Sequence, residues 1–440
     1  MAVDSSRNTS VSTTETHPRL VPHGMMLPFV LVTALFFLWA IPNNLNDILI
    51  RQFMTSFAVS RFQAGLVQFA FYLGYFFLAT PAALLMRRYG YKSGFITGLL
   101  LYGTGAFLFW PAALLDRYAF FLFALFVIAS GLAFLETASN SFIAQLGSPE
   151  SAARRLNLSQ AFNPLGSITA GLIGTVFIFS GVELNDKQIA TMKALHTYSG
   201  YLRQETMRVV APYMIIGAVV LLWAALIAIT KFPVVAGEHV LHGEAHGSFR
   251  ELLGYPSFLF AVIAQFMYVG AQVGTWSYFI PYVQESTQQH EKMAGYLLTG
   301  TLAAFGVGRF SSAAIMRYFR PDRLMALYSV ANVALVAIGV LWPGWIGLWS
   351  IFLTSFFMSV MFPTIFALGI DGLGRNTKIG GSLIIMSIIG GAVLTLLMGW
   401  ISQATHRISI AYAVPLACYV VVGAYSLAWH RLRMRGDLPA

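Results

Sequence analysis

The sequence predicts an all-α polytopic membrane protein, with twelve transmembrane helices in two six-helix halves. Three observations carry that prediction. Of 440 residues, 57% are hydrophobic and only 10% are charged, against about a quarter charged in a soluble domain. Mean hydropathy is +0.70, so the chain lacks the polar surface to face water on all sides. The apolar residues are gathered into runs, each near the ~20 positions a helix needs to cross the hydrocarbon.

The runs fall at 25–50, 63–86, 95–115, 118–146, 156–180 and 209–230, then at 256–285, 293–318, 323–342, 345–370, 379–404 and 408–430. They are numbered here as spans 1 to 12. Residues 1–24 are rich in Ser and Thr without an apolar run, which predicts a solvated tail and not a signal peptide. The first six spans make an N-terminal half over 25–231, and the polar stretch 232–255 reads as a linker. A C-terminal half follows over 256–431, with a short tail at 432–440.

Span 1 ends in AIPNNLNDILI, residues 40–50. Residues three and four apart share a helix face, so Trp39, Asn43, Asn46 and Asp47 form one stripe with Asn44 beside it. An unpaired carboxylate in hydrocarbon is costly, so such residues face the bundle interior and mark an ion or substrate path. An ion pair between Asp47 and Arg51 at the helix end is the plainer reading. Four polar residues within five positions exceed what a helix end requires. The loop after span 2, RRYGYKSG, is basic, as is RYFRPDRLMA after span 8; little else repeats by eye between the halves.

Span 4 carries Glu136 in GLAFLETASNSF, with Asn140 one turn on and no basic residue within a turn. Desolvation disfavours the charged form of a carboxyl group, which makes Glu136 a candidate to bind and release a proton. The plainer alternative is an acid kept neutral as a packing hydrogen-bond donor. Span 5 reads RRLNLSQAFNPLGS, placing Gln160, Asn163 and Ser167 on one face. Pro164 has no N–H to give the carbonyl of Gln160, so amides and a free carbonyl stand together, a surface suited to sugar hydroxyls.

Span 7, QFMYVGAQVGTWSYFIPY, offers Gln265, Tyr268, Gln272 and Trp276 at spacings of 3, 4 and 4. A flat aromatic beside amides suits the apolar face and polar edges of a pyranose; ordinary packing, or an interfacial belt, is the alternative for Tyr268 and Trp276. Arg309 in span 8 is the basic residue well inside an apolar run. It is expected to pair with a carboxylate or with backbone carbonyls of the C-terminal half, in a structural or gating role. Pro363 kinks span 10 beside Met361 and Phe362, which offer no polar group. Glycine pairs at 380–381 and 390–391 let span 11 approach its neighbours closely.

The +10 net charge follows topology. Segments on the side of the N-terminus hold Arg7, Arg19, Arg87, Arg88, Lys92, Arg154, Arg155, Lys231, Arg250, Arg317, Arg320, Arg323, Arg375, Lys378, Arg431, Arg433 and Arg435, and the opposite segments hold about half as many basic residues. Both termini are therefore expected in the cytoplasm of a multi-pass protein of the cell (inner) membrane, and a nucleic-acid partner is not expected. Cys418 is the sole cysteine, which excludes an intramolecular disulfide and a cysteine metal site; no cofactor or metal is expected. The intramembrane inventory of amides, hydroxyls and two acids points to a neutral, hydroxyl-rich solute and to protons. The two halves joined by a linker have the architecture of the major facilitator superfamily, whose substrate site lies between the halves near the midplane.

At these same residues the chain resembles the L-fucose:proton symporters, in the fucose–galactose–glucose porter branch of that superfamily. The likeness lies in NNLNDIL of span 1, LETASN of span 4, RLNLSQAFN of span 5 and PTIFALGI of span 10, and also in FWPAALL, PYMII, KFP and YVGAQ. It runs from about residue 25 to 430. The resemblance implies proton-coupled inward sugar transport by a twelve-helix fold working as a monomer. It implies that Asp47 takes part in protonation, that Glu136 contacts sugar and couples it to the proton, and that Asn44, Gln160 and Asn163 are the sugar-binding amides. Two departures leave the sugar open: Ser141 follows Asn140 where the family has proline, and Met361 and Phe362 stand where a more polar pair is expected. A sodium-coupled or uncoupled hexose carrier is the nearest rival. An intramembrane enzyme is disfavoured because no histidine sits mid-span and the acids lie at different depths. A membrane sugar sensor is disfavoured by tails too short for an output domain.

Overall fold

Eleven helical stretches among the described residues are long and apolar enough to cross a membrane. In the N-terminal half they are Met26–Met54, Leu66–Tyr89, Tyr91–Leu115, Tyr118–Gln145, Pro149–Ile178 and Tyr198–Ile229. In the C-terminal half they are Pro256–Ser277, Pro321–Leu341, Trp345–Ile370, Gly374–Thr405 and Ile408–Leu432. The remaining predicted element, span 8, is the helix Glu291–Ile315. Its 25 residues are enough to cross, but Gly295, Gly300, Gly306, Gly308 and Arg309 dilute its apolar character. This computed structural model describes residues 20–233 and 248–436, apart from positions 23, 58, 60, 181 and 183. Most of the predicted N-terminal tail, the middle of the linker and the last four residues lie outside the described residues.

The internal repeat that is faint in the sequence is plain in the packing. Span 2 packs on span 4, 3 on 4, 3 on 6 and 1 on 5; six positions on, span 8 packs on 10, 9 on 10, 9 on 12 and 7 on 11. The halves meet along spans 2, 4 and 5 on one side and 8, 10 and 11 on the other. Two glycines permit close approaches on which this depends. A Cβ on Gly390 would strike the carbonyl oxygen of Phe266, joining spans 11 and 7, and one on Gly381 would come within 2.6 Å of Ser141 Oγ, across the halves. Small residues serve this purpose where helices pack in a bilayer.

Spans 6 and 7 are joined at one face of the bundle, called here the linker face, and there the halves are tied together. Lys378 Nζ at the start of span 11 donates to the carbonyl of Met86 at the end of span 2, at 2.9 Å. Arg154 Nε at the start of span 5 donates to the carbonyl of Ala313 at the end of span 8, at 3.2 Å. Each cation caps a helix C-terminus of the opposite half, where the helix dipole favours positive charge. Asn157 Nδ2 adds a bond to Thr364 Oγ1 at 3.2 Å. Arg155, fully buried, instead braces its own loop, donating to the carbonyls of Ile143, Ala144 and Ser148 and to Ser151 Oγ. At the opposite face the polar stretch before span 6 forms the helices Asp186–Ala194 and Tyr198–Met207. Buried Gln52 fastens it to span 1 through the Glu205 carbonyl and carboxylate, at 2.9 and 3.1 Å.

Candidate functional site

Between the halves lies a cavity of about 640 Å³. Its wall runs from the late part of span 1 (Asn43, Asn44) and the early part of span 2 (Gln68, Phe71) to the late part of span 7 (Ser277, Ile280) and the early part of span 8 (Leu298). All of these lie toward the face away from the linker, and the ties described above lie at the linker face. The cavity is therefore open on one side of the bundle and closed on the other.

The N-terminal half supplies most of the polar lining: Asn43, Asn44, Gln68, Tyr72, Tyr75, Glu136, Gln160, Asn163 and Ser167. Asn44 Nδ2 donates to the Ala40 carbonyl at 2.7 Å and to Ser167 Oγ at 2.9 Å. Asn163 Nδ2 donates to the Phe36 carbonyl at 3.3 Å. These bonds fix both amides and leave their oxygens for a ligand in the cavity. Trp39 lines the cavity but is almost wholly buried; its ring lies against Phe36, centroids 4.3 Å apart and planes tilted by 48°. Asn46, expected on the same stripe, is buried with neither amide atom paired and does not line the cavity. Asp47 continues the helix of span 1; its side chain lies outside the described residues.

Glu136 is buried yet reaches the wall. The Tyr75 hydroxyl faces it and Asn43, short of full hydrogen-bond geometry. From Glu136 a relay runs across the molecule. Asn140 Nδ2 donates to the Glu136 carbonyl at 2.9 Å, and Gln160 Nε2 donates to Asn140 Oδ1 at 2.8 Å. Arg309 Nη1, from the other half, then donates to the Gln160 side-chain oxygen at 2.7 Å and to its carbonyl at 2.9 Å. The helix of span 5 breaks at Ala161–Phe162, just before Pro164, so the carbonyl that proline frees is taken by an arginine. Arg309 was expected to find its partners in its own half; it finds them in span 5. Its guanidinium also sits over the Phe305 ring, 4.6 Å from the centroid.

Three expected residues stand differently from their prediction. Asn140 is fully buried and lies behind the wall as a link between Glu136 and Gln160. Tyr268 is also fully buried, packed edge-on to Phe362 at 6.3 Å, and does not line the cavity. From Tyr268 to Trp276 a helix turns by roughly 80°, so spacings of 4 and 4 carry the face away, and Gln272 and Trp276 line the cavity while Tyr268 does not. Gln265, on the same helix, is buried with both amide atoms unpaired. Trp276 Nε1 donates to Ser355 Oγ at 3.1 Å, and its ring meets Phe305 edge-on at 5.1 Å.

The sequence reading missed the contribution of span 2. Gln68, Tyr72 and Tyr75 follow at spacings of 4 and 3 and so share a face, a signal hidden because tyrosine reads as apolar. It also missed Phe305, Leu298 and Leu302 of span 8, which nothing in their composition separates from lipid-facing residues.

Comparison with known proteins agrees over nearly the whole chain. Residues 27–393 match the family model of the Major Facilitator Superfamily. The chain is 44% identical to the L-fucose-proton symporter of Escherichia coli (strain K12), over 90% of this chain and 92% of that protein. It is 35% identical to the glucose/galactose transporter of Brucella abortus (strain 2308), again over 90% of this chain and 92% of the relative. A crystal structure of a Major Facilitator Superfamily transporter, FucP, in the outward conformation superposes with a TM-score of 0.84 at 43% identity, covering 92% of this chain and 99% of the other. The fold and relatives are those of a transporter and not of an enzyme. The chain belongs to the Major Facilitator Superfamily and, within it, to the L-fucose-proton symporter family.

Proposed function

We propose that the chain is a proton-coupled symporter that moves a neutral monosaccharide of the L-fucose type inward by alternating access. The observation that carries this reading is the relay from Glu136 through Asn140 and Gln160 to Arg309. It joins an acid with no cation of its own half beside it to the amides of the cavity, and then to the other half. Asn140 holds the main-chain carbonyl of Glu136 and not its carboxyl, so a proton arriving on Glu136 acts on this relay, Arg309 included, through the change of charge beside it. Sugar hydroxyls compete for the same amides. Proton, sugar and domain movement thus act on one set of groups, which is what coupling requires.

In this reading Asp47 and Glu136 carry the proton. Asn43, Asn44, Gln160 and Asn163 hold sugar hydroxyls, while Trp39, Gln272 and Trp276 enclose the ring. The open side faces outward, with the linker and both termini in the cytoplasm and the protein in the inner membrane, working as a monomer. The bias of arginine and lysine toward the linker-side loops supports that orientation. The named relatives, which include L-fucose-proton symporters and glucose/galactose transporters, support the sugar class. Phe362 adds an apolar contact to the wall, and with Met361 beside it leaves open which sugar of this class fits best.

The test is transport into proteoliposomes with an imposed inward proton gradient. Labelled L-fucose is expected to accumulate ahead of galactose and glucose. If none of the three is concentrated and none exchanges across the bilayer, the proposal is wrong.

A further inference from the structure

The large cavity leaves unexplained a second recess, of about 260 Å³, where spans 9 and 12 meet at the linker face. Arg320 and Arg323 come to it from the start of span 9, His430 and Arg431 from the end of span 12. Its one acid, Asp322, is buried and its carboxylate is taken up by Arg320, through Nε at 3.1 Å and Nη2 at 3.0 Å. Ser426 Oγ donates to the Asp322 carbonyl at 2.5 Å and pins the two helices together beneath the recess. Arg323 and Arg431 make no ion pair among the described residues. Three arginines against Asp322 give the recess a formal double positive charge.

What lies next to the charge decides the ligand. Four residues from Arg323 toward the membrane interior stands Leu327, 64% exposed, and four residues from Arg431 in the same direction stands Leu427, 71% exposed. Residues four apart share a helix face, so each free arginine has a lipid-facing leucine directly beneath it, on two adjacent helices. Charge at the interface over an aliphatic surface is the layout of a phospholipid. The arginine fork matches phosphate oxygens, and basic pockets between spans on the cytoplasmic side take anionic headgroups. A free phosphate ion would make no use of the leucines.

We propose that this recess binds the phosphate headgroup of an anionic phospholipid, with the acyl chains lying along Leu327 and Leu427. The experiment is native mass spectrometry of the full chain released from detergent, titrated with phosphatidylglycerol, phosphatidylethanolamine or inorganic phosphate. Each arginine near the surface contributes about fivefold, so Arg323→Gln with Arg431→Gln is expected to weaken phosphatidylglycerol binding about twenty-five-fold. Arg117→Gln with Arg407→Gln, exposed at the opposite face, is expected to leave it unchanged. If the first pair fails a size-exclusion check, Arg323→Gln alone carries the test, with about fivefold expected. Equal retention of phosphatidylethanolamine and phosphatidylglycerol overturns the proposal, as does binding indifferent to the arginines. Displacement of the lipid by inorganic phosphate at equal concentration also overturns it, since the recess is then a site for free anions.

Discussion

The two halves share one packing scheme but differ where they face the cavity. The N-terminal wall sets amides, hydroxyls and an acid among Phe36, Trp39, Phe71 and Pro164; the C-terminal wall is mostly apolar, through Val269, Val273, Trp276, Ile280, Leu298, Leu302, Phe305, Phe362 and Ile388, with Gln272, Ser277 and Arg309 as its polar members. At the linker face the difference vanishes. Lys378 of span 11 caps span 2, and Arg154 of span 5 caps span 8, each the counterpart of the other six spans away. The molecule is asymmetric where it meets its ligands and symmetric where it closes. On the proposed function, recognition and proton binding belong mainly to one half, a more apolar lid to the other, and the movement to both.

The largest expected effect tests the assignment of the proton to the N-terminal half. One proton moving down ~100 mV supplies about 2.3 kcal/mol, roughly a fiftyfold sugar gradient. Glu136→Gln keeps the volume of the side chain and the backbone carbonyl that Asn140 holds, but cannot ionise. Accumulation in proteoliposomes is expected to fall from that ratio to about one, while counterflow of labelled against unlabelled sugar persists. Undiminished uphill uptake would remove Glu136 from the coupling and with it the division of labour between the walls.

Next comes the symmetry of the closure. A cation at a helix C-terminus is worth about 1 kcal/mol in a partly buried setting, or about fivefold in the ratio of closed to open linker face. Lys378→Met and Arg154→Met are therefore expected to shift that ratio equally, and together by roughly twenty-five-fold. Distances between spin labels on the linker-face ends of spans 2 and 11 report the ratio. An effect confined to one of the two substitutions breaks the symmetry argument.

How much of this was readable without the structure depends on the physics of each residue. The spans were readable because hydrocarbon imposes a length and a composition, and the polar stripe of span 1 and Glu136 because they offend that composition. Span 2 was not, since Tyr72 and Tyr75 satisfy hydropathy while carrying hydroxyls. Arg309 was visible, but its partner was not: Gln160 is 149 residues away in the other half, and only packing brings the two together. Tyr268 was misplaced because a run of spacings near four drifts around a helix. Asn140 was taken for a wall residue because helical position does not tell a ligand from the link behind it.

A middle-sized effect is expected at Gln160, where the walls touch. Gln160→Ala removes the side-chain bonds to Asn140 and Arg309 but keeps the backbone carbonyl that Arg309 also uses. Loss of a hydrogen bond to a buried charged group costs about 1.5 kcal/mol or more, so sugar affinity, read by counterflow, is expected to drop about tenfold.

The smallest effect distinguishes a lid from a binding wall. Trp276 donates one hydrogen bond, to Ser355 of its own half, and otherwise presents a ring to the cavity. If the C-terminal wall only encloses the sugar, Trp276→Phe keeps the flat apolar face and loses one neutral bond, worth about 1 kcal/mol. Affinity is then expected to fall by no more than about fivefold, with the accumulation ratio intact because no proton-bearing group is touched. Trp276→Ala additionally strips the aromatic surface and is expected to weaken binding further, again without loss of coupling. A Trp276→Phe protein that binds sugar normally but no longer concentrates it would place part of the coupling in the C-terminal half, and the contrast between the walls would have to be redrawn around Arg309.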